Sequence, residues 1–422
     1  MIDFRTYQLP IMLLAGAISM LLFTACDPDN VSQPNQDEAF VKFYGGVLSQ
    51  QGNDVKVTDD GGYILFGSSS SFGNGSEDFY LVKVNNEGNE QWSQWYNSPS
   101  SLAVDSTDVG QVVRLTPDGG YVLIGTTTLD TLTKIMVAKT DASGNLAWSK
   151  LIRETSNSSE IAGDIKVTAQ QGGYVITGTT NDVDVTKPGY TPQNDLQDFY
   201  TAKLDDNGIV EWERIDGFPE SDFGVSLEII NNSIVTFGTG TLTSPVSKRS
   251  FLMARYNFVG GPPFDQKNYG SATDELDLGN SFPTSDGGVV LVGSTRIGNI
   301  NKIVFQKLDP SLNEEGLLIT LNGADQMSES GASITEMDDG NYAVLGTRIV
   351  SAENTDIILF LTDPQGNLVV NEAVYGETGL DVAGAVENLG TNGFIISGTI
   401  DVGTNTMGAL IKTNSRGEII PE

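Results

Sequence analysis

Eleven residues starting at position 117, PDGGYVLIGTT, recur in near-copy as DDGGYILFGSS from 59, QQGGYVITGTT from 170 and SDGGVVLVGST from 285. The glycine that closes the apolar part of this phrase falls at Gly67, Gly125, Gly178, Gly238, Gly293, Gly346 and Gly398, at intervals of 52 to 60 residues. A second glycine precedes each of these by 14 or 15 residues: Gly52, Gly110, Gly163, Gly224, Gly279, Gly331 and Gly384. Two markers in step at a period near fifty define a repeat architecture.

Each unit contains four short apolar segments. In the second they are VVRLT (112–116), YVLIGTT (121–127), KIMVAKTD (134–141) and LAWSKLI (146–152). They are rich in β-branched and aromatic residues and bounded by Gly, Asn and Asp, which reads as a meander of strands. The DGG phrase supplies positive φ for a tight hairpin between the first two strands. The fourth unit writes NNS (231–233) instead, and Asn is the next-best residue for that geometry. The second hairpin has its own signature, Asn85-Gly88-Trp92, Asp141-Gly144-Trp148 and Asp205-Gly208-Trp212. The fifth unit departs from it with LDPSLNEEG after Lys307, which predicts a longer turn. Tyr121, Val122, Leu123 and Ile124 are apolar without alternation. A strand with one face in water would alternate, so these strands must be covered on both faces, as in radially stacked sheets.

Seven such units predict an all-β, seven-bladed β-propeller of four-stranded antiparallel blades. Its closure is also written in the chain. AFVKFYGG (39–46) aligns with QWSQWYN (91–97), placing Phe40 on Trp92 and Tyr44 on Tyr96, while the last unit stops at GEIIPE where its outermost strand should begin. Residues 39–45 are therefore expected to complete the last blade and remove two open sheet edges; an open solenoid is the alternative. Trp92, Trp148 and Trp212 share one repeat position and read as packing residues, whereas Trp95 is off that register and expected to be partly exposed.

The organisation then falls into three parts: a signal segment (1–25), Cys26 with a polar tether to residue 38, and the propeller (39–422). The apolar run from Ile11 to Ala25 is shorter than the ~20 residues of a spanning helix and suits a secretory signal. It ends in LFTAC, where Cys26 is the sole cysteine. This resembles a bacterial lipoprotein signal, which is cleaved before a cysteine whose thiol receives diacylglycerol; Phe23 departs from the usual pattern. The resemblance implies lipidation at Cys26 and a cell-envelope address, the outer membrane foremost, with the leaflet undetermined. One cysteine allows no internal disulfide and no thiolate zinc cage. The absence of histidine excludes Ser-His-Asp and Cys-His nucleophilic systems. Any metal would need oxygen ligands, hence Ca²⁺ or Mg²⁺. A net charge of −32 repels nucleic acid and anionic membranes.

The succession DGGYV and GTT, then Asp198-Phe199-Tyr200 with Lys203-Leu204-Asp205, then Gly144-Asn145 with Trp148, resembles the propeller repeats of bacterial exported and surface lipoproteins. It is also similar to the Trp-bearing repeats of quinoprotein-like propellers, which include the eight-bladed lipoprotein of the outer-membrane barrel assembly machine. These likenesses imply fold far more than function, since propellers host enzymes, lectins and scaffolds alike.

In a four-stranded blade the two hairpins lie at one end of the ring, and the loops between strands two and three share the other end with the inter-blade links. Length variation is concentrated in the second set, the longest spanning 179–198. A rigid scaffold with variable loops at one end is the usual layout of a binding surface. Phe72, Tyr190, Asp195, Lys248 and Arg249 are the ligand-binding candidates on these loops. Asp108, Glu160, Asp222, Asp277, Glu329 and Asp381 recur just before the second glycine marker. They would either form an acidic rim able to collect Ca²⁺ or a basic partner, or cap turns through backbone hydrogen bonds. No catalytic set emerges and no cofactor is called for. The expectation is a monomeric, non-catalytic binding or scaffold protein with a glycan, peptide or envelope-protein partner. A carboxylate-pair glycoside hydrolase or lyase is the alternative, and a quinone-dependent dehydrogenase a more distant one.

Overall fold

The computed structural model describes residues 39–419 except 74–75, 100–105, 169, 184, 186–195, 243–247, 272, 322–325, 371 and 377. It forms seven four-stranded antiparallel sheets arranged as the blades of a propeller. The inner strands, blade 1 to blade 7, are Gln50–Val57, Thr107–Leu115, Glu160–Val167, Asp222–Ile230, Leu276–Pro283, Ser328–Glu336 and Val382–Asn388. Blade 7 takes its outer strand from the chain's other end: Phe40–Tyr44 pairs antiparallel with Thr406–Thr413, Phe40 opposite Lys412 and Tyr44 opposite Gly408.

The second and third strands are buried along their whole length in blades 1 and 3. They form the apolar layers between blades, which explains the missing alternation. Aromatic residues stitch neighbouring blades at the outer edge. Trp92 packs on Tyr121 at 6.0 Å and Trp148 on Tyr174 at 5.9 Å, and Phe40 meets Tyr63 at 6.4 Å across the closure. Tyr44 and Tyr96 each donate a hydroxyl to a turn carbonyl of the next blade, Gly88 and Gly144, at 2.7 and 2.6 Å. The closing strand thus makes the same two contacts as its counterpart in blade 1.

The recurring glycines near the axis let blades approach. A Cβ at Gly110 would lie 2.3 Å from the carbonyl oxygen of Gly67 in the preceding blade. One at Gly331 would lie 2.7 Å from that of Gly293. Where these inner strands are densest, every one of the seven carries a β-bulge.

At the hairpins, Asn231 and Asn232 both take left-handed φ, 47° and 57°, so the NNS variant keeps a tight turn. The fifth unit corrects its expectation. Its turn proper is no longer than the others: Asp309 accepts the amides of Ser311 and Asn313, as Asp141 does from Ser143 and Asn145; the extra length falls in the outer arm, where strand pairing resumes only at Ile319. Leu312, at φ 62°, occupies the place glycine holds elsewhere. A left-handed leucine costs roughly 1–2 kcal/mol; complete burial of its side chain in the core of blades 4 and 5 offsets that cost.

Candidate functional site

The inner-strand bulges set up the site. A bulge leaves backbone amides without ladder partners, and these amides need acceptors from elsewhere. In blades 1 and 3 an aspartate follows the bulge. Asp54 accepts the amide of Val55 at 2.9 Å and that of Val113 in blade 2 at 3.0 Å. Asp164 repeats this with Ile165 at 2.7 Å and Leu227 of blade 4 at 3.2 Å. Two carboxylates thereby cap amides of four blades.

Buried carboxylates require cations, and the next ring of side chains supplies them. Arg114 spans from Asp54, at 2.9 Å, to Asp164, at 2.6 Å. Lys166 lies 3.6 Å from Asp164 and 3.1 Å from Glu228. Lys56 lies 3.1 Å from Asp54 and also pairs with Glu387 of blade 7. The result is an alternating chain, Glu387–Lys56–Asp54–Arg114–Asp164–Lys166–Glu228, around five blades. Blades 5 and 6 complete the ring without charge, through Asn280, Ser281, Phe282, Ala332 and Ser333. Together these residues line an axial channel of about 560 Å³.

Two carboxylates of the chain are displaced in opposite directions. Burial pushes Asp164 up, but Arg114 and Lys166 outweigh it and hold the group below the usual carboxylate range. Burial dominates at Glu228 and raises it, with Lys166 opposing. Opposed shifts on neighbouring carboxylates are what acid–base chemistry uses. Here, however, both Asp164 oxygens are engaged by amides and cations, and Glu228 is bound by Lys166 and by the Ser281 hydroxyl at 3.1 Å.

At the loop-bearing end the acidic series does not form a rim. Asp108, Glu160, Asp222, Glu329 and Asp381 are all buried, and Gln50 takes the same place in blade 1. Asp108 accepts the Ser98 amide at 2.7 Å, and Asp222 accepts that of Phe218. Glu160 binds Lys134 at 2.8 Å, and Glu329 binds Arg348 at 2.8 Å. They cap blade crossovers and pair with buried cations. Asp277 alone is half exposed. Gly279, like Gly163 and Gly384, lies in its bulge, so the buried place is three residues before the glycine, held by Glu160 in blade 3, Asp381 in blade 7 and Leu276 in blade 5; Asp277 stands two before and turns the other way, beside Phe223 of the channel lining. There it meets Arg249 at 2.5 Å, whose guanidinium also lies 5.8 Å from the Phe223 ring. Lys248 pairs with Glu275 at 2.7 Å. The structure thus brings together Arg249 and Asp277, with Phe223 as a residue that sequence reasoning missed.

Phe72 stands apart, stacked on Tyr80 at 5.2 Å and on the half-exposed Trp95 at 5.6 Å. Its ring is already partnered from within the chain. Tyr190 and Asp195 lie outside the described residues. Among the described residues, no group of three or more acidic or cysteine side chains is placed to hold a metal ion.

No known protein family matches the sequence, and no curated protein matches it. Solved structures similar to it include a protein of unknown function from Dyadobacter fermentans, 12% identical over 89% of this chain and 98% of the other, with a TM-score of 0.46. The β-propeller domain of the trilobed protease from Pyrococcus furiosus is 11% identical, over 88% of this chain and 92% of that one, with a TM-score of 0.46. An α-L-arabinanase from Penicillium chrysogenum is 10% identical, over 78% and 100% of the two chains, with a TM-score of 0.49. At such identities the likeness concerns the fold alone.

Proposed function

We propose that this chain is a non-catalytic binding propeller of the bacterial cell envelope, anchored by lipid on Cys26. It presents the loop-bearing end of its ring to a glycan, peptide or protein partner. The observation that carries the non-catalytic part is the engagement of the axial carboxylates. Asp54 and Asp164 cap bulge amides and bind cations at the same time, leaving neither as a free nucleophile or base. The closing strand begins with Phe40 at the hairpin end of the ring, opposite the variable loops. Arg249, Asp277 and Phe223 at the channel mouth offer that end a charged and aromatic foothold.

The test has two arms. Mass spectrometry of the envelope-extracted protein should find diacylglycerol on Cys26, and Cys26→Ser should release the chain from membranes. Replacing 181–197 with a two-residue turn, separately from Arg249→Ala, should abolish capture of partners from the native envelope; unchanged partners from both variants would remove this end as the binding surface.

A second reading rests on Asp164 and Glu228, whose opposed shifts suit a carboxylate-pair glycoside hydrolase. Hydrolysis of aryl glycosides that disappears in both Asp164→Asn and Glu228→Gln, with the fold intact, would replace the binding reading with this one.

A further inference from the structure

Asp381 is one of the buried acids of this series. It is 1% exposed, and one oxygen accepts the Asp401 amide at 2.8 Å. Its second oxygen has no hydrogen-bond partner. Asp108 likewise has one oxygen accepting an amide, that of Ser98, and one without a partner, whereas Glu160 and Glu329 receive cations. A buried carboxylate oxygen left bare is costly, and that of Asp381 is itself shielded from solvent. It borders a lateral cleft of about 580 Å³ between blades 6 and 7.

The cleft exists because the outer strand of blade 6, Ala373–Tyr375, has only three residues and leaves the closing strand uncovered. Val41 and Phe43 on that strand, with Val374 and Val402, form apolar walls between 40 and 50% exposed. Asp401 shares the cleft with Asp381. Gly376, at φ 131°, leaves open the space that a Cβ would take 2.2 Å from the bare oxygen. Among the described residues no lysine or arginine lines the cleft. Its chemistry is an anionic floor under aliphatic and aromatic sides, complementary to a cation carried on a methylene stem.

From this we infer that the blade 6–7 cleft binds a lysine side chain of a partner protein, the ammonium on Asp381 and the stem along Phe43. The carboxylates are not grouped for a metal ion, whereas an ammonium needs only one or two charge-assisted contacts. The cleft lies at the loop-bearing end, between the blade 6–7 link and the turn that follows Asp401, so the inference rests on the function proposed for that end; binding of the lysine peptide is read separately from capture of partners.

Isothermal titration of the full chain with the capped tripeptide acetyl-Gly-Lys-Gly-amide tests it, with acetyl-Gly-norleucine-Gly-amide as a control that keeps the stem and lacks the charge. The lysine peptide should bind at least about tenfold more tightly than the norleucine peptide, the scale of one charge-assisted contact. Asp381→Asn should lose that difference. Phe43→Ser, with its melting temperature intact, should weaken the lysine peptide severalfold. Equal binding of the two peptides, undiminished binding by Asp381→Asn with its melting temperature intact, or full affinity in Phe43→Ser would each overturn the assignment. A calcium chloride titration that displaces the lysine peptide at equal concentration would assign the cleft to metal and overturn it too.

Discussion

The two arcs of the axial channel solve one backbone problem with different chemistry. In both, bulged inner strands leave amides that need acceptors. In blades 1 to 4 the acceptors are Asp54 and Asp164, and their charge forces Arg114, Lys56 and Lys166 into the channel. In blades 5 and 6 the acceptors are neutral. Asn280 takes the amide of Ser281 at 2.8 Å, and the Ser333 hydroxyl takes that of Val386 at 3.3 Å. No cation follows there. Axial charge in this molecule is thus a consequence of how a bulge is capped, and the cations are present because the carboxylates are.

The largest effect that would break this comparison is expected at Arg114. Arg114→Met leaves two buried carboxylates without their shared partner and should cost about 3–5 kcal/mol in urea unfolding. Asn280→Ala, its counterpart on the neutral arc, should cost about 1 kcal/mol. The combined change Asp54→Asn, Arg114→Met and Asp164→Asn should recover most of the loss, because the arc then carries no unpaired charge there. Equal costs for the two single variants would dissolve the distinction between the arcs.

Glycine at the blade contacts should matter on both arcs alike. Gly110→Ala and Gly331→Ala each drive a methyl against a carbonyl oxygen of the preceding blade, for a loss of about 1–3 kcal/mol. A loss confined to one arc would show that the arcs differ in backbone spacing as well as in charge.

Acidity separates them further. The Asp164 carboxyl is held down, so its stabilisation is complete above the unfolded carboxylate range and is lost as pH falls through its lower folded value. Glu228 is raised, so the folded state holds its proton longer than the unfolded one, and stability declines as pH rises through that window. Urea midpoints between pH 3 and 7, in about half-unit steps, should lose the acid-side decline in Asp164→Asn and the opposite slope in Glu228→Gln. The smallest effect lies outside the channel. Asp118 is held at about 2, first by its hydrogen bonds to Lys139 and Thr116. Lys139→Met should move its titration, read by carboxyl NMR, toward about 3.9, with a stability change within about 1 kcal/mol because Asp118 is exposed and water screens the pair.

Blade number, closing strand and packing tryptophans were legible because each recurs at a fixed place in a period, as Phe40 and Trp92 do. The charge chain was not. Lys56 and Arg114 both stand four residues after an inner-strand glycine, and Lys166 stands three after its own. That offset was the available signal, but pairing across blades is invisible until the strands are set side by side. Asp277 misled for a related reason: where the glycine lies in the bulge the buried acid stands three residues before it, as Glu160 and Asp381 do, and Asp277 stands two before, which turns it to the opposite face. Leu312 was unreadable as a turn residue because burial, which the local sequence does not display, overrules its backbone preference.

The pairing of Phe40–Tyr44 with Thr406–Thr413 also sets the order of events at birth. During synthesis the first strand of the ring emerges long before its only ladder partner, and must wait through six intervening blades. Contacts so distant along the chain delay folding, and an orphan strand carrying Val41 and Phe43 is open to mispairing in the interval. A nascent chain cut short before Thr406 would have a complete set of interior blades and no means of joining its ends.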